Sequence, residues 1–253
     1  MKVYFVGAGP GDPELLTVKA ARLLANARIC IYAGSLVNPA LLDLLPADAE
    51  RHDSAKMNLE EIVALFQAAQ RRQIDVVRLH TGEPAIYGAI GEQMDALDRL
   101  QIAYEVVPGI SAFQAAAATL KVELTAPEVA QTVILTRTPG RTPMPPSEDL
   151  ARLAQSGATL CIFLSADRIG ELSEMLAEHY GHDCPAALVF HASWPDEKII
   201  RGTLRDIGAQ VRAEGIAKTA IFLVGFALAR PTAHVSKLYD KTFGHGYRQE
   251  TSP

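Results

Sequence analysis

Short runs of apolar, β-branched residues punctuate the chain at 2–6, 29–32, 75–80, 103–107, 132–136, 159–164, 186–190 and 220–226. Between them apolar residues recur at helical spacing. Continuous Val, Ile and Leu runs separated by helices are what a parallel sheet covered on both faces requires, so the spacing predicts an α/β fold with parallel strands. Ala20, Leu23, Leu24 and Ala27 fall at i, i+3, i+4 and i+7, with Thr17 placed to cap that helix. Leu59, Ile62, Val63 and Phe66 repeat the spacing, with Asn58 as N-cap and Glu61 positioned to reach back in a capping box.

Breaks in this rhythm divide the chain. Residues 108–127 hold a small, Ala-rich stretch between two sets of strands, which places a domain junction there: 1–118 forms one α/β domain and 119–253 a second, with a loose tail from about 242 that contains Gly244 and Gly246. Residues 136–146 carry too many prolines for a helix or a central strand and are expected to form a loop of the kind that often carries function. The apolar run at 220–229 is half of the roughly 20 residues that cross a bilayer as helix. Gly225 interrupts it, so it reads as a buried strand.

Bulk properties narrow the class. A chain of 253 residues, 49% hydrophobic and 21% charged, suits two self-sufficient soluble domains. A net charge of -5 argues against nucleic acid or an anionic membrane as partner, so any anionic ligand must be held by local charge. Cys30, Cys161 and Cys184 share no short spacing and read as buried thiols in a reducing compartment, without a disulfide frame or a metal site. The first residues enter a strand directly, with no signal-peptide pattern, and a cytoplasmic location is expected.

Three glycine-bearing turns follow predicted strands. The first is Val6-Gly7-Ala8-Gly9-Pro10-Gly11-Asp12-Pro13. A dinucleotide site would need glycine where Asp12 stands, and Pro10 removes an amide that would face pyrophosphate; the plainer alternative is a tight strand-to-helix turn. The second is Leu79-His80-Thr81-Gly82-Glu83-Pro84-Ala85-Ile86-Tyr87-Gly88, and the third Val107-Pro108-Gly109-Ile110-Ser111-Ala112-Phe113, where Ser111 could simply cap a helix. Ligands of open α/β sheets bind beyond the carboxyl ends of strands, so these turns can line one crevice.

In this order the three motifs resemble those of the tetrapyrrole methylase family. Tyr32-Ala33-Gly34-Ser35-Leu36-Val37-Asn38, His52-Asp53-Ser54-Ala55, Glu123-Leu124-Thr125, the run from Gln131 to Arg137, Gly140-Arg141-Thr142-Pro143 and Ala192-Ser193-Trp194-Pro195-Asp196-Glu197 are similar to the branch that methylates C-11 of precorrin-4, with or without cobalt, in corrin (cobalamin) biosynthesis. The resemblance runs to about Leu228. It implies two α/β domains with S-adenosylmethionine in a cleft between them, S-adenosylhomocysteine as product, and a homodimer.

Carried over by motif, the cofactor contacts are Pro10 in the first turn, Thr81, Gly82, Glu83 and Ile86 in the second, and Ser111 with Ala112 in the third. Leu164, Ala192, Thr219 and Ala220 complete the set, and Glu83 stands where the family usually has aspartate. The substrate this implies is a macrocycle ringed by acetate and propionate groups, for which Lys56, Arg137 and Arg141 are the candidate cations, with His80 bordering the second motif. Methyl transfer from a sulfonium to an electron-rich ring carbon is chiefly a matter of alignment, and no residue is marked out as a catalytic base. Methylation of another carbon, a nucleotide-dependent oxidoreductase and a tetrapyrrole carrier are the competing readings; the oxidoreductase lacks the acidic ribose partner after the second strand, where Tyr32-Ala33-Gly34-Ser35 stands.

Overall fold

A computed structural model describes residues 1–34, 36–140, 142–229, 243–244 and 246–248. The chain forms two compact units: Met1–Thr119 with His191–Glu197, and Leu120–Phe190 with Lys198–Pro253.

In the first unit, β1 (Lys2–Gly7), β2 (Ile29–Tyr32), β3 (Glu50–Asp53), β4 (Val76–His80) and β5 (Ala103–Val107) lie in the order β3-β2-β4-β1-β5, all neighbours parallel. The alternation of side chains sends successive residues to opposite faces. Val3, Phe5, Ile31 and Val76 pack with Ile62 and Phe66 of α2 (Leu59–Arg72) and Leu97 of α3 (Gly91–Arg99). Val6, Cys30, Val77 and Leu79 pack on the other face with Ala20 and Leu24 of α1 (Val18–Ala25). The chain thus leaves β1 over one face and the adjacent β4 over the other. Their carboxyl ends form the switch point at which open α/β sheets bind ligands.

Both expected helix starts are present. The Thr17 hydroxyl accepts from Ala20 N at 3.2 Å; Asn58 Oδ1 accepts from Glu61 N at 2.9 Å while Glu61 Oε2 accepts from Asn58 N at 2.8 Å.

The second unit departs from the expected parallel sheet. Strands β6 (Val133–Arg137), β7 (Thr159–Phe163), β8 (Pro185–Phe190), β9 (Lys198–Thr203) and β10 (Ala220–Val224) lie in the order β6-β7-β10-β8-β9, and of the neighbouring pairs only β6 and β7 are parallel. A central strand buried on both faces is apolar throughout whichever way it runs, so the hydrophobic pattern carried no direction. Leu160, Ile162, Leu188 and Phe222 pack with Leu150 and Ala154 of α5 (Leu150–Ala154), Leu172 and Leu176 of α6 (Ile169–Tyr180) and Ile207 of α7 (Ile207–Ala213). The run at 220–229 is strand only to Val224; it turns at Gly225 into a 3-10 segment, Phe226–Ala229.

All three cysteines are buried and free, and burial pushes each thiol up to about 12. Among the described residues no helix is long and apolar enough to cross a membrane. Thr242 and most of the expected tail lie outside the described residues.

Candidate functional site

The three glycine turns meet at the carboxyl ends of β4, β1 and β5. Gly9 and Gly82 exchange backbone hydrogen bonds, Gly82 N to Gly9 O at 2.8 Å and Gly9 N to Gly82 O at 3.3 Å, while Ala8 N donates to His80 O at 2.7 Å. A Cβ on Gly109 would run into the Gly82 carbonyl oxygen. At Gly7 and Gly109 the missing side chain therefore makes room for neighbouring backbone. Gly82 differs: nothing lies closer than 3.8 Å to its Cβ position, and its φ of 60° is what calls for glycine.

Side chains at these turns are tied into the same assembly. Glu83 Oε1 accepts from Ala85 N at 2.9 Å and Oε2 from Gly109 N at 2.8 Å, so one carboxylate bridges the second and third turns. The Thr81 hydroxyl donates to Leu36 O at 3.1 Å. Asp12 caps a 3-10 turn, Pro13–Leu15, by accepting from Glu14 N at 2.9 Å. Ser111 is buried and precedes α4 (Ala112–Leu120); its N–H donates to Gln114 Oε1 at 2.9 Å. Pro10 is buried, and Ile86 is half-buried in the loop after β4.

His191–Glu197 lies on the first turn. The Trp194 indole N–H donates to Pro10 O at 2.8 Å, and Asp12 N donates to Ser193 Oγ at 3.0 Å. Ala192, the expected cofactor contact in this segment, is buried. The sequence gives Trp194 no role, because nothing local joins residues separated by 184 positions.

Beneath the second turn two polar side chains of β4 are nine-tenths buried. Arg78 Nε donates to Gln93 Oε1 at 3.1 Å and its Nη1 to Ile31 O at 3.4 Å; burial pulls the guanidinium down to about 10. Among the described residues His80 Nε2 has no hydrogen-bond partner, and burial, aided by the charge on Arg78, pulls the imidazole down to about 3, so it is neutral. His80 thus lies under the turn and not on its surface. Lys56 is exposed, in a 3-10 turn after β3.

In the second unit Leu164 follows β7 and Thr219 precedes β10. β10 runs antiparallel to β7, with Phe222 opposite Ile162, so the residue that follows β7 and those that open β10 lie at one end of that sheet. Leu164 and Thr219 hold φ of 53° and 56°, and Leu164 is 69% exposed. Non-glycine residues in that region cluster at binding sites.

Arg137 ends β6 with its guanidinium turned to its own loop, donating to Thr138 O and Thr142 O at 3.2 Å and to Pro143 O at 2.9 Å. Arg168 Nη1 joins them through Pro139 O at 3.1 Å, a contact the sequence did not signal. Arg141 lies outside the described residues. A separate cavity of about 330 Å³, lined by Tyr4, Asn26, Arg28, Gln73 and Asp75 among others, opens at the amino-terminal ends of β2 and β4, away from the turns. Among the described residues no group of three or more His, Cys, Asp or Glu is placed to hold a metal ion.

Comparison with known proteins agrees with this arrangement. The pattern of the tetrapyrrole (corrin/porphyrin) methylases matches residues 2–208. The chain is 52% identical to a cobalt-precorrin-4 C(11)-methyltransferase of Methanocaldococcus jannaschii, over 98% of this chain and 96% of the relative. It is 49% identical to a precorrin-4 C(11)-methyltransferase of Pseudomonas aeruginosa, over 98% and 99%. The crystal structure of a cobalamin biosynthetic enzyme, cobalt precorrin-4 methyltransferase, superposes with a TM-score of 0.87 at 45% identity, covering 90% of this chain and 95% of that one. A uroporphyrin-III C-methyl transferase from Thermus thermophilus, complexed with S-adenyl homocysteine, gives 0.74 at 30% identity, over 91% and 94%.

Proposed function

The chain belongs to the tetrapyrrole (corrin/porphyrin) methylase family, and we propose that it transfers a methyl group from S-adenosylmethionine to C-11 of precorrin-4 or its cobalt complex in corrin (cobalamin) biosynthesis. The observation that carries this reading is the identity of 52% and 49%, over nearly the full length of both chains, to two proteins with that activity.

The turns of the first unit fit the cofactor. Residues 7–12, 81–86 and 109–112 contain no Lys or Arg to offset a pyrophosphate's charge, Pro10 lacks the amide that would face one, and Asp12 would repel it. Small side chains and bare backbone suit an adenosine, and the absence of cations suits a sulfonium. Pro10, Thr81, Gly82 and Ile86, with Ser111, Ala112 and Ala192, are the proposed contacts here, and Leu164, Thr219 and Ala220 those of the second unit. Glu83 acts by holding the turns together.

When bound, S-adenosylmethionine supplies a methyl group activated by its positive sulfur, which an electron-rich ring carbon can accept by in-line displacement. The protein's part is placement, which can supply several kcal/mol of the barrier without a catalytic base. Lys56, together with Arg141 of the Pro-rich loop, is proposed to face the acetate and propionate groups of the macrocycle, with Arg137 ordering that loop through its carbonyls and His80 buried beneath the second turn. We further place the enzyme in the cytoplasm as a homodimer, which light scattering at twice the monomer mass would test; three buried thiols suit that compartment.

Incubation with precorrin-4 and S-adenosylmethionine carrying a ¹³C methyl group, followed by carbon NMR, tests the assignment. A new methyl signal coupled to C-11 is expected. Label at another ring carbon would move the enzyme to a different branch of the family, and bound but unmethylated macrocycle would make it a carrier.

A further inference from the structure

The strap His191–Glu197 does more than rest on the first glycine turn. It satisfies that turn on both sides of Gly11: Trp194 supplies a donor to Pro10 O at 2.8 Å, and Ser193 Oγ an acceptor to Asp12 N at 3.0 Å. Between these bonds Gly11 has no room for a side chain, because a Cβ there would fall within the indole ring of Trp194. The ring and the glycine interlock.

The strap is itself held firmly. Trp194 N donates to His191 O at 2.8 Å and Glu197 N to Trp194 O at 3.1 Å, closing a tight turn. Glu197 Oε2 accepts from Ser193 N at 2.7 Å, and its Oε1 accepts from the Thr119 hydroxyl at 2.6 Å, which anchors the strap to the end of α4. The His191 imidazole stacks on the indole with centroids 4.7 Å apart and planes 27° apart, and its Nδ1 meets the Asp196 carboxylate at 2.9 Å. His191 and Ser193 hold φ of 47° and 69°, conformations that persist where surrounding bonds over-determine them.

We propose that Trp194 is a positioning residue for the cofactor: by clamping Pro10 and filling the space over Gly11 it fixes the first turn in its binding shape, and so sets affinity for S-adenosylmethionine and not for the macrocycle. The inference rests on the reading of Pro10 as a cofactor contact. Ala192 gives the clamp a second role, since the bonds that hold Trp194 also hold the neighbouring residue proposed to touch the same ligand.

The test is a Trp194→Phe enzyme, which keeps an aromatic ring and removes the indole donor, measured by calorimetry with S-adenosylhomocysteine and by steady-state kinetics with both substrates. Loss of one buried hydrogen bond predicts an affinity about threefold to tenfold weaker, an equal rise in KM for S-adenosylmethionine, and kcat and the macrocycle KM within about twofold. A general loss of folding would instead lower kcat and shift the urea midpoint with no such split. Gly11→Ala provides a second measurement: it should weaken binding strongly beside Trp194 and little in a Trp194→Ala background, where the ring is gone. Unchanged S-adenosylhomocysteine affinity in Trp194→Phe, an effect on kcat alone, or additive Gly11 and Trp194 effects would overturn the proposal while the cofactor reading stands. A wild-type protein that binds no S-adenosylhomocysteine would sink both.

Discussion

A Cβ placed on Gly7 would stand 2.6 Å from Cα of Gly109 and 2.7 Å from the carbonyl oxygen of Gly82. Every neighbour there is backbone and cannot swing aside. Gly7→Ala should therefore destabilise the fold by about 1–3 kcal/mol and weaken S-adenosylhomocysteine binding by about tenfold or more, a loss of about 1.4 kcal/mol or more. Gly91→Ala, with nothing within 4 Å of its Cβ position, is the control: binding unchanged, and stability raised by up to about 1 kcal/mol. Urea unfolding and calorimetry read both.

Glu83 spans the second and third turns through Ala85 N and Gly109 N. Glu83→Ala strips two amides of their acceptor and should cost about 1–3 kcal/mol of stability together with cofactor affinity. Glu83→Gln keeps one acceptor oxygen and should fall between the two. Equal affinity in all three proteins would mean that the bridge does not shape the site.

The pH dependence of stability should carry the signature of His80. Its folded value, about 3, lies below the ordinary 6.5, so the unfolded chain takes up a proton that the native protein refuses. Its contribution is full above pH 6.5 and falls away as the pH drops towards 3. By pH 5 the loss is about 2 kcal/mol. His80→Gln should flatten that part of the curve in urea unfolding at pH 7, 6 and 5; an unchanged slope would show that His80 is not held neutral.

Arg137 laces its loop through three carbonyls. Arg137→Ala should raise the macrocycle KM about tenfold or more, as expected when a charge-assisted set of hydrogen bonds is lost, while S-adenosylhomocysteine affinity stays within about twofold. Calorimetry showing equal losses for both ligands would contradict that division.

Local chemistry made much of the fold legible. The capping box of Asn58 and Glu61 and the Thr17 cap could be read because their partners lie three residues apart. Strand β3, Glu-Arg-His-Asp at a sheet edge, escaped notice because an edge strand need not be apolar. Strand β9 carries only a short apolar pair, Ile199-Ile200, and its antiparallel pairing with β8 is set by a seven-residue connection without a helix, a matter of linkage and not of hydrophobicity. At the site, the glycines mark the three turns in the sequence, but which backbone each one lies against depends on neighbours far along the chain. The strap on the first turn is settled by distant contacts that leave no local pattern, whereas Arg137 grips carbonyls one to six residues away, which residue type alone does not announce.

The buried, high-pKa thiols have a practical side. Maleimide reagents require an accessible thiolate, and Cys30, Cys161 and Cys184 offer none near neutral pH. The wild-type enzyme should stay unlabelled, so a Pro195→Cys substitution on the exposed back of the strap would accept a single fluorophore without prior removal of native cysteines, giving an optical gauge of how the strap responds when a methyl donor arrives.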